Sequence, residues 1–252
     1  MSVVLFAPGG YCFIPAVFQY SGGVAAGPGF QIERVTFREP VPLKQGFERA
    51  AAILAAHGRP LTAFCACELR SPLPFSDEGF RAFNEHYVET LAQWGIYDAR
   101  TRTNPVARSN VCPEIAPPGE PSMYAFSFTV VAPEPRGSTF VVSGSGEARE
   151  GGASYRERTV RHGETSPDAM REKATFVLGE MERRLGLLGE AWTGTTATQV
   201  YTVHDLHPFL ADAIVARGAA RAGLTWHFCR PPVRGLEYEM DCRGTAAELF
   251  VE

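Results

Sequence analysis

The chain repeats itself, and that constrains its fold more than any other feature. An apolar stretch ending in Ser-Gly occurs at "FQYSGGVAAG" (18–27) and again at "FVVSGSGEAR" (140–149). A stretch with apolar edges and one arginine occurs at "VARSNV" (106–111) and again at "HFCRPPV" (227–233). Ser21 and Ser143 are 122 residues apart, and so are Arg108 and Arg230. Two anchors with one offset predict two tandem copies of one unit. Residues 1–131 form the first and 132–252 the second, joined through "VVAPEPRGST" (130–139), whose prolines and glycine suit a connector.

The elements between the anchors follow one order. Ser166 and Pro167 read as the cap and first residue of a helix. Met170, Ala174, Val177, Leu178, Met181, Leu185 and Leu188 then recur at spacings of three and four, and Gly189 ends the pattern. Leu43 to His57 is a shorter match in the first copy, stopped by Gly58. Apolar strands follow at "LTAFCACEL" (61–69) and "TATQVYTVH" (196–204). A second helix comes after each. In the first copy it carries Phe80, Phe83, Tyr87, Leu91 and Trp94 on one face; in the second it spans roughly 207–220. Each unit is therefore α+β, a mainly antiparallel sheet with two helices packed on one face.

Composition excludes several classes of function. The net charge of −4 gives no footprint for a polyanion, so nucleic acid is not an expected partner. No apolar run is long enough to span a membrane, and the start lacks the basic region of an export signal, so a cytoplasmic protein is expected. The six cysteines (12, 65, 67, 112, 229, 242) include no CxxC pair and read as reduced thiols. "HDLH" (204–207) lacks a second ligand cluster, so no metal is expected. Lys44 and Lys173 are the only lysines and both fall in helices, which leaves Schiff-base chemistry almost without candidates. No nucleotide or hydrolase motif is present, and no cofactor is expected.

One stretch concentrates charge. In "CRPPVRGLEYEMDC" (229–242), Glu237, Glu239 and Asp241 alternate, which in an extended strand puts three acids on one face near Arg230. Partly buried, neighbouring carboxylates raise one another's pKa, and a guanidinium fork suits a planar carboxylate. Pro231 and Pro232 stiffen the chain beside Arg230.

This order of elements resembles the RidA/YjgF family, with Ser-Gly near the start and an arginine strand before a closing acidic strand. The resemblance implies a chorismate-mutase-like fold, sites between subunits, and hydrolysis of enamine or imine carboxylates to the 2-oxo acid and ammonia. It further implies that the arginine holds the substrate carboxylate and that the first acid of the closing strand handles water and protons. The first copy keeps Ser21, Gly22, the step Phe80–Asn84–Tyr87 and Arg108, but its closing strand "SMYAFSFTVV" (122–131) has no glutamate. The second keeps Ser143, Gly144, Arg230 and "LEYE", so Glu237 falls on the catalytic acid and Glu239 on its neighbour, while Ala213 replaces the helix asparagine. A cysteine common two residues after the arginine is Asn110 in one copy and Pro232 in the other.

The expected protein is thus a deaminase for a small carboxylate-bearing substrate. Its catalytic residues would be Glu237 and Glu239. Arg230, Arg108, Ser143, Gly144, Ser21, Gly22 and Asn84 would bind substrate. An aminomuconate-type ring-cleavage product, with two carboxylates, suits two arginines. The resemblance also implies a homo-oligomer, with a trimer favoured. The alternatives are a non-catalytic carboxylate-binding scaffold of the same fold and, against the acidic charge balance, a ribonuclease.

Overall fold

The computed structural model describes residues 2–135, 137–149, 151 and 154–252. Short strands β1 (Val4–Phe6), β2 (Tyr11–Phe13) and β3 (Gly23–Ala26) lead into the long β4 (Phe30–Pro42). Then come α1 (Leu43–Ala56), β5 (Phe64–Arg70), α2 (Asp77–Gln93), β6 (Ala107–Pro113) and β7 (Ser122–Val131). The second run is β8 (Phe140–Gly146), a one-turn α3 (Tyr155–Arg158), α4 (Pro167–Leu188) and β9 (Ala197–Tyr201). It continues with α5 (His207–Phe209), β10 (Leu224–His227), β11 (Cys229–Arg230), β12 (Glu239–Gly244) and β13 (Ala247–Val251).

The repeat is visible in the pairing. In the first run β4 pairs antiparallel with β7, β7 antiparallel with β5, and β5 parallel with β6. In the second, β8 pairs antiparallel with β12, β12 antiparallel with β9, and β9 parallel with β10. The α+β class and the two tandem units are thus present, but the anchors that revealed them are not equivalent positions. The strand that leads to the first long helix, as β8 leads to α4, is β4; Ser21 lies earlier, just before β3. Arg230 is on β11, one strand beyond β10, which is the counterpart of β6. The two units also exchange strands. The seven-stranded sheet runs β1-β2-β3-β8-β12-β9-β10 and the six-stranded sheet β11-β6-β5-β7-β4-β13. A cut after residue 131 separates the two runs but not the two sheets. Within the expected linker, Arg136 lies outside the described residues.

Each sheet buries one face under helices. Phe47, Ala50 and Leu54 of α1 and Tyr87, Val88 and Leu91 of α2 pack on Val35, Phe37, Phe64, Phe126 and Phe128. On the other sheet, Met170, Val177, Met181 and Leu185 of α4, with Phe209 and Ile214, cover Phe140, Val142, Val200 and Met240. The helix ends follow the sequence signals. Ser166 Oγ accepts a hydrogen bond from Ala169 N at 3.2 Å, and Gly189 ends α4 in the left-handed region at φ 79°. The helix expected near 207–220 differs: one α turn widens into a π turn over Leu210–Val215, and Gly218 (φ 89°) follows.

The sheet faces turned away from the helices meet in a buried polar layer. Arg34 Nε donates to Glu68 Oε1 at 2.6 Å. Gln199 Nε2 reaches both Glu68 Oε2 (3.3 Å) and Asp241 Oδ1 (2.8 Å), tying one sheet to the other. Although burial pushes Glu68 upward, the guanidinium groups of Arg34, Arg243 and Arg70 hold its carboxyl well below the usual range.

Candidate active site

At the junction where β6 of the first run approaches β8 and β12 of the second lies a cavity of about 320 Å³, within the usual range for small-molecule sites. Its walls include Tyr20, Phe80, Asn84, Arg108, Asn110, Gly144, Tyr155, Arg184 and Glu239.

Arg108 enters from β6 and is only 3% exposed. Its guanidinium carbon lies 4.6 Å from the Tyr87 ring centroid, 5.3 Å from Tyr20, 5.7 Å from Phe83 and 5.9 Å from Phe80. Aromatic faces stabilise the cation but leave its N–H donors unpaired. Nη1 is buried and has no hydrogen-bond partner among the described residues. Leaving such a donor unsatisfied costs stability, and an anionic ligand would remove the cost. Asn84 on α2 is in the same condition, 1% exposed with neither Nδ2 nor Oδ1 partnered. Asn110 accepts from Ser71 Oγ at 2.9 Å, while its Nδ2 is unpartnered.

Glu239, the first residue of β12, brings a carboxyl to the same cavity at 4% exposure. Burial pushes its pKa well above the usual carboxylate range, and Asp241 on the same strand pushes it further. Arg108 and Arg184 pull the other way without prevailing. The upward shift favours the protonated form, the state needed of a general acid. Gly144 makes room for it: a Cβ there would collide with Glu239 Oε1 and come within 3.0 Å of Ser109 Cβ. Arg184 anchors this part of β8, its Nη1 donating to the carbonyls of Ser143 (3.1 Å) and Gly144 (3.4 Å) and its Nε to Glu180 (2.7 Å).

The structure thus brings four of the expected residues, Arg108, Asn84, Gly144 and Glu239, to one cavity, and leaves the others elsewhere. Ser143 and Ser21 are buried and bind each other. Ser143 Oγ donates to Ser21 O at 2.6 Å and accepts from Arg108 N at 3.0 Å, so this pair joins the sheets and sets the backbone of Arg108. Gly22 packs on Ile14, and its carbonyl accepts from Ser143 N at 3.2 Å.

Arg230 and Glu237 correct the sequence expectation. They lie along a shallow hollow with Leu73 and Arg234, outside the cavity. Arg230 binds Glu114 at 2.7 Å, and its Nη1 is 3.6 Å from Glu237 Oε2. Glu237 also binds His204 Nε2 at 2.9 Å. The alternation argument fails because Glu237 precedes the strand; only from Glu239 is the chain extended. Asp241, beyond Glu239, turns into the polar layer and accepts from Tyr201 Oη at 2.8 Å.

Sequence reasoning missed Arg184, Asn110 and the tyrosines as cavity residues. Arg184 and Lys173 fall on the buried stripe of α4, so a charge among those apolar positions was the available signal.

The cavity lies between two tandem α+β units, with a buried cation from the first run and a buried acid from the second on its walls. The chain belongs to the 2-aminomuconate deaminase CnbZ family, which it matches over residues 3–249. The deaminase reading of the sequence therefore stands. The chain is similar to 2-amino-5-chloromuconate deaminase of Comamonas testosteroni, 52% identical over 249 residues and covering 98% of each chain. Similar solved structures include RidA of the Antarctic bacterium Psychrobacter sp. PAMC 21119, 16% identical with a TM-score of 0.32, over 42% of this chain and 80% of that one. Another is E. coli TdcF with bound serine, 13% identical with a TM-score of 0.31, over 44% of this chain and 83% of that one. Among the described residues, no helix is long and apolar enough to cross a membrane.

Proposed function

We propose that this chain hydrolyses the C–N bond of a 2-aminomuconate-type enamine dicarboxylate, releasing ammonia and the 2-oxo acid. The observation that carries this reading is the cavity shared by Arg108 and the buried carboxyl of Glu239. Arg108 grips the carboxylate next to the amine-bearing carbon by two charge-assisted hydrogen bonds. Glu239 gives its proton to the enamine carbon, and an iminium results. Water then adds its oxygen to the iminium carbon while Glu239 accepts the proton released. Glu239 next protonates nitrogen. The C–N bond breaks with its electron pair leaving on ammonia, the C=O forms, and the hydroxyl proton returns to Glu239. One carboxyl thus serves as acid and base in turn.

Asn84 offers both a donor and an acceptor, as holding the attacking water requires. Arg81, one helical turn earlier on α2 and at the cavity wall, suits the distal carboxylate. Purified protein supplied with 2-aminomuconate should release one ammonia for each enamine consumed, with the product trapped as a 2-oxo acid hydrazone. Consumption with the nitrogen retained would overturn the reading.

A further inference from the structure

One of the two lysines is buried beside the acid. Lys173 on α4 and Glu147, the residue that follows β8, both have side chains with 0% exposure, and Lys173 Nζ lies 3.1 Å from Glu147 Oε1. The pair closes a ring. Lys173 Nζ donates to Val160 O at 2.8 Å, and Val160 N donates back to Glu147 O at 2.8 Å. The Glu147 carboxylate also accepts from the backbone N–H groups of Glu237 (2.7 Å) and Tyr238 (3.1 Å). Ladder pairing between β8 and β12 begins only at Gly146 opposite Glu239, so these two amides lie just outside it. Glu147 therefore holds the two residues that lead directly into Glu239.

We propose that the Lys173–Glu147 pair is a positioning device for the reaction. It fixes the backbone entering β12 so that the Glu239 carboxyl sits over Gly144 in the cavity, and it supplies a fixed negative charge nearby. Lys173 is needed to keep that charge: burial favours the protonated form of Glu147, and the ammonium opposes it. A buried ion pair is a poor source of net stability. Its value here lies in what it orients.

Glu239 faces charged and titratable groups from several elements: Asp241 on its own strand, Arg108 on β6, Arg184 on α4 and Glu147. Cys112 on β6, Cys229 on β11 and Tyr155 on α3 also feel its charge. Glu147 and Asp241 favour the protonated acid, and the two arginines oppose it. The sign follows. A raised pKa keeps Glu239 protonated, so kcat/KM falls on the basic side as the proton is lost. Neutralising Glu147 moves that limb to lower pH.

This inference rests on Glu239 as the acid, and the two are separable by experiment. In Glu147→Gln, kcat should fall about tenfold or more from misplacement of the acid, with KM within about twofold because Arg108 is untouched. The basic limb of kcat/KM should move down by about half a pH unit or more. Lys173→Met should move it the same way. The double variant Glu147→Gln/Lys173→Met removes both charges, so it should regain thermal stability lost in the single variants without regaining the limb. Should either single variant fail to fold, the double variant carries the test. A limb left at the wild-type position, or full recovery of kcat together with stability, would overturn the positioning role. If Glu239→Gln kept wild-type activity, the reading of Glu239 itself would fail instead.

Discussion

Two arginine–glutamate pairs in this chain, one suggested by the sequence and one assembled by the fold, sit in different media. Arg230 and Glu237 are half-buried beside a shallow open hollow, and each has a close partner: Glu114 for the arginine and His204 for the glutamate. Pairs that remain open to solvent are screened and contribute about 0–1 kcal/mol. Arg108 and Glu239 are 3% and 4% exposed and come from different runs; the arginine keeps a guanidinium N–H unpartnered among the described residues, and burial pushes the glutamate's pKa up. The difference teaches that a site is marked by charge left buried and incompletely satisfied.

The contrast breaks most sharply at the acids. Glu239→Gln should lower kcat by about 100- to 10,000-fold, the range for removal of a general acid–base group, while Glu237→Gln stays within about twofold. Ammonia release measured on both variants decides it, and equal losses would erase the distinction. The arginines come next. Arg108→Met should cost about 100-fold in kcat/KM, from lost charge-assisted hydrogen bonds, against little change for Arg230→Met. The smallest expected effect sharpens the geometry of the cavity. Gly144→Ala forces a methyl group against Glu239 Oε1, so it should cost about 1–3 kcal/mol of stability, read by denaturant unfolding. Unchanged stability and activity in Gly144→Ala would mean that the carboxyl does not rest there.

Much of the molecule was legible in the sequence. The caps Ser166 and Gly189 and the apolar stripe of α4 mark that helix to within a residue, because helix ends and faces are set by local hydrogen bonding and periodicity. The second helix of the second run was less legible, because a π turn has no simple periodicity. Arg108, Asn84, Gly144 and Glu239 were all named as candidates, Asn84 and Gly144 through the family resemblance. Their partnership was not. Arg108 appeared to lack an acid because the closing strand of its own run has none, and Glu239 appeared secondary because Glu237 stands first in "LEYE". Ser21 and Ser143, chosen as separate substrate contacts, bind one another across the junction of the sheets.

By itself, then, the sequence determined the tandem α+β plan, the helices, and a short roster of polar residues able to handle a carboxylate and a proton. Tertiary structure decided which of them meet. Packing of the two sheets sets β6 against β8, so the first run's arginine and the second run's glutamate line one cavity. It also decided ionisation, because the same side chain is an ordinary carboxylate in water and a held acid when burial and Asp241 disfavour its charge. Spacing along a chain carries no information about either, since both depend on what the rest of the fold brings within a few ångströms.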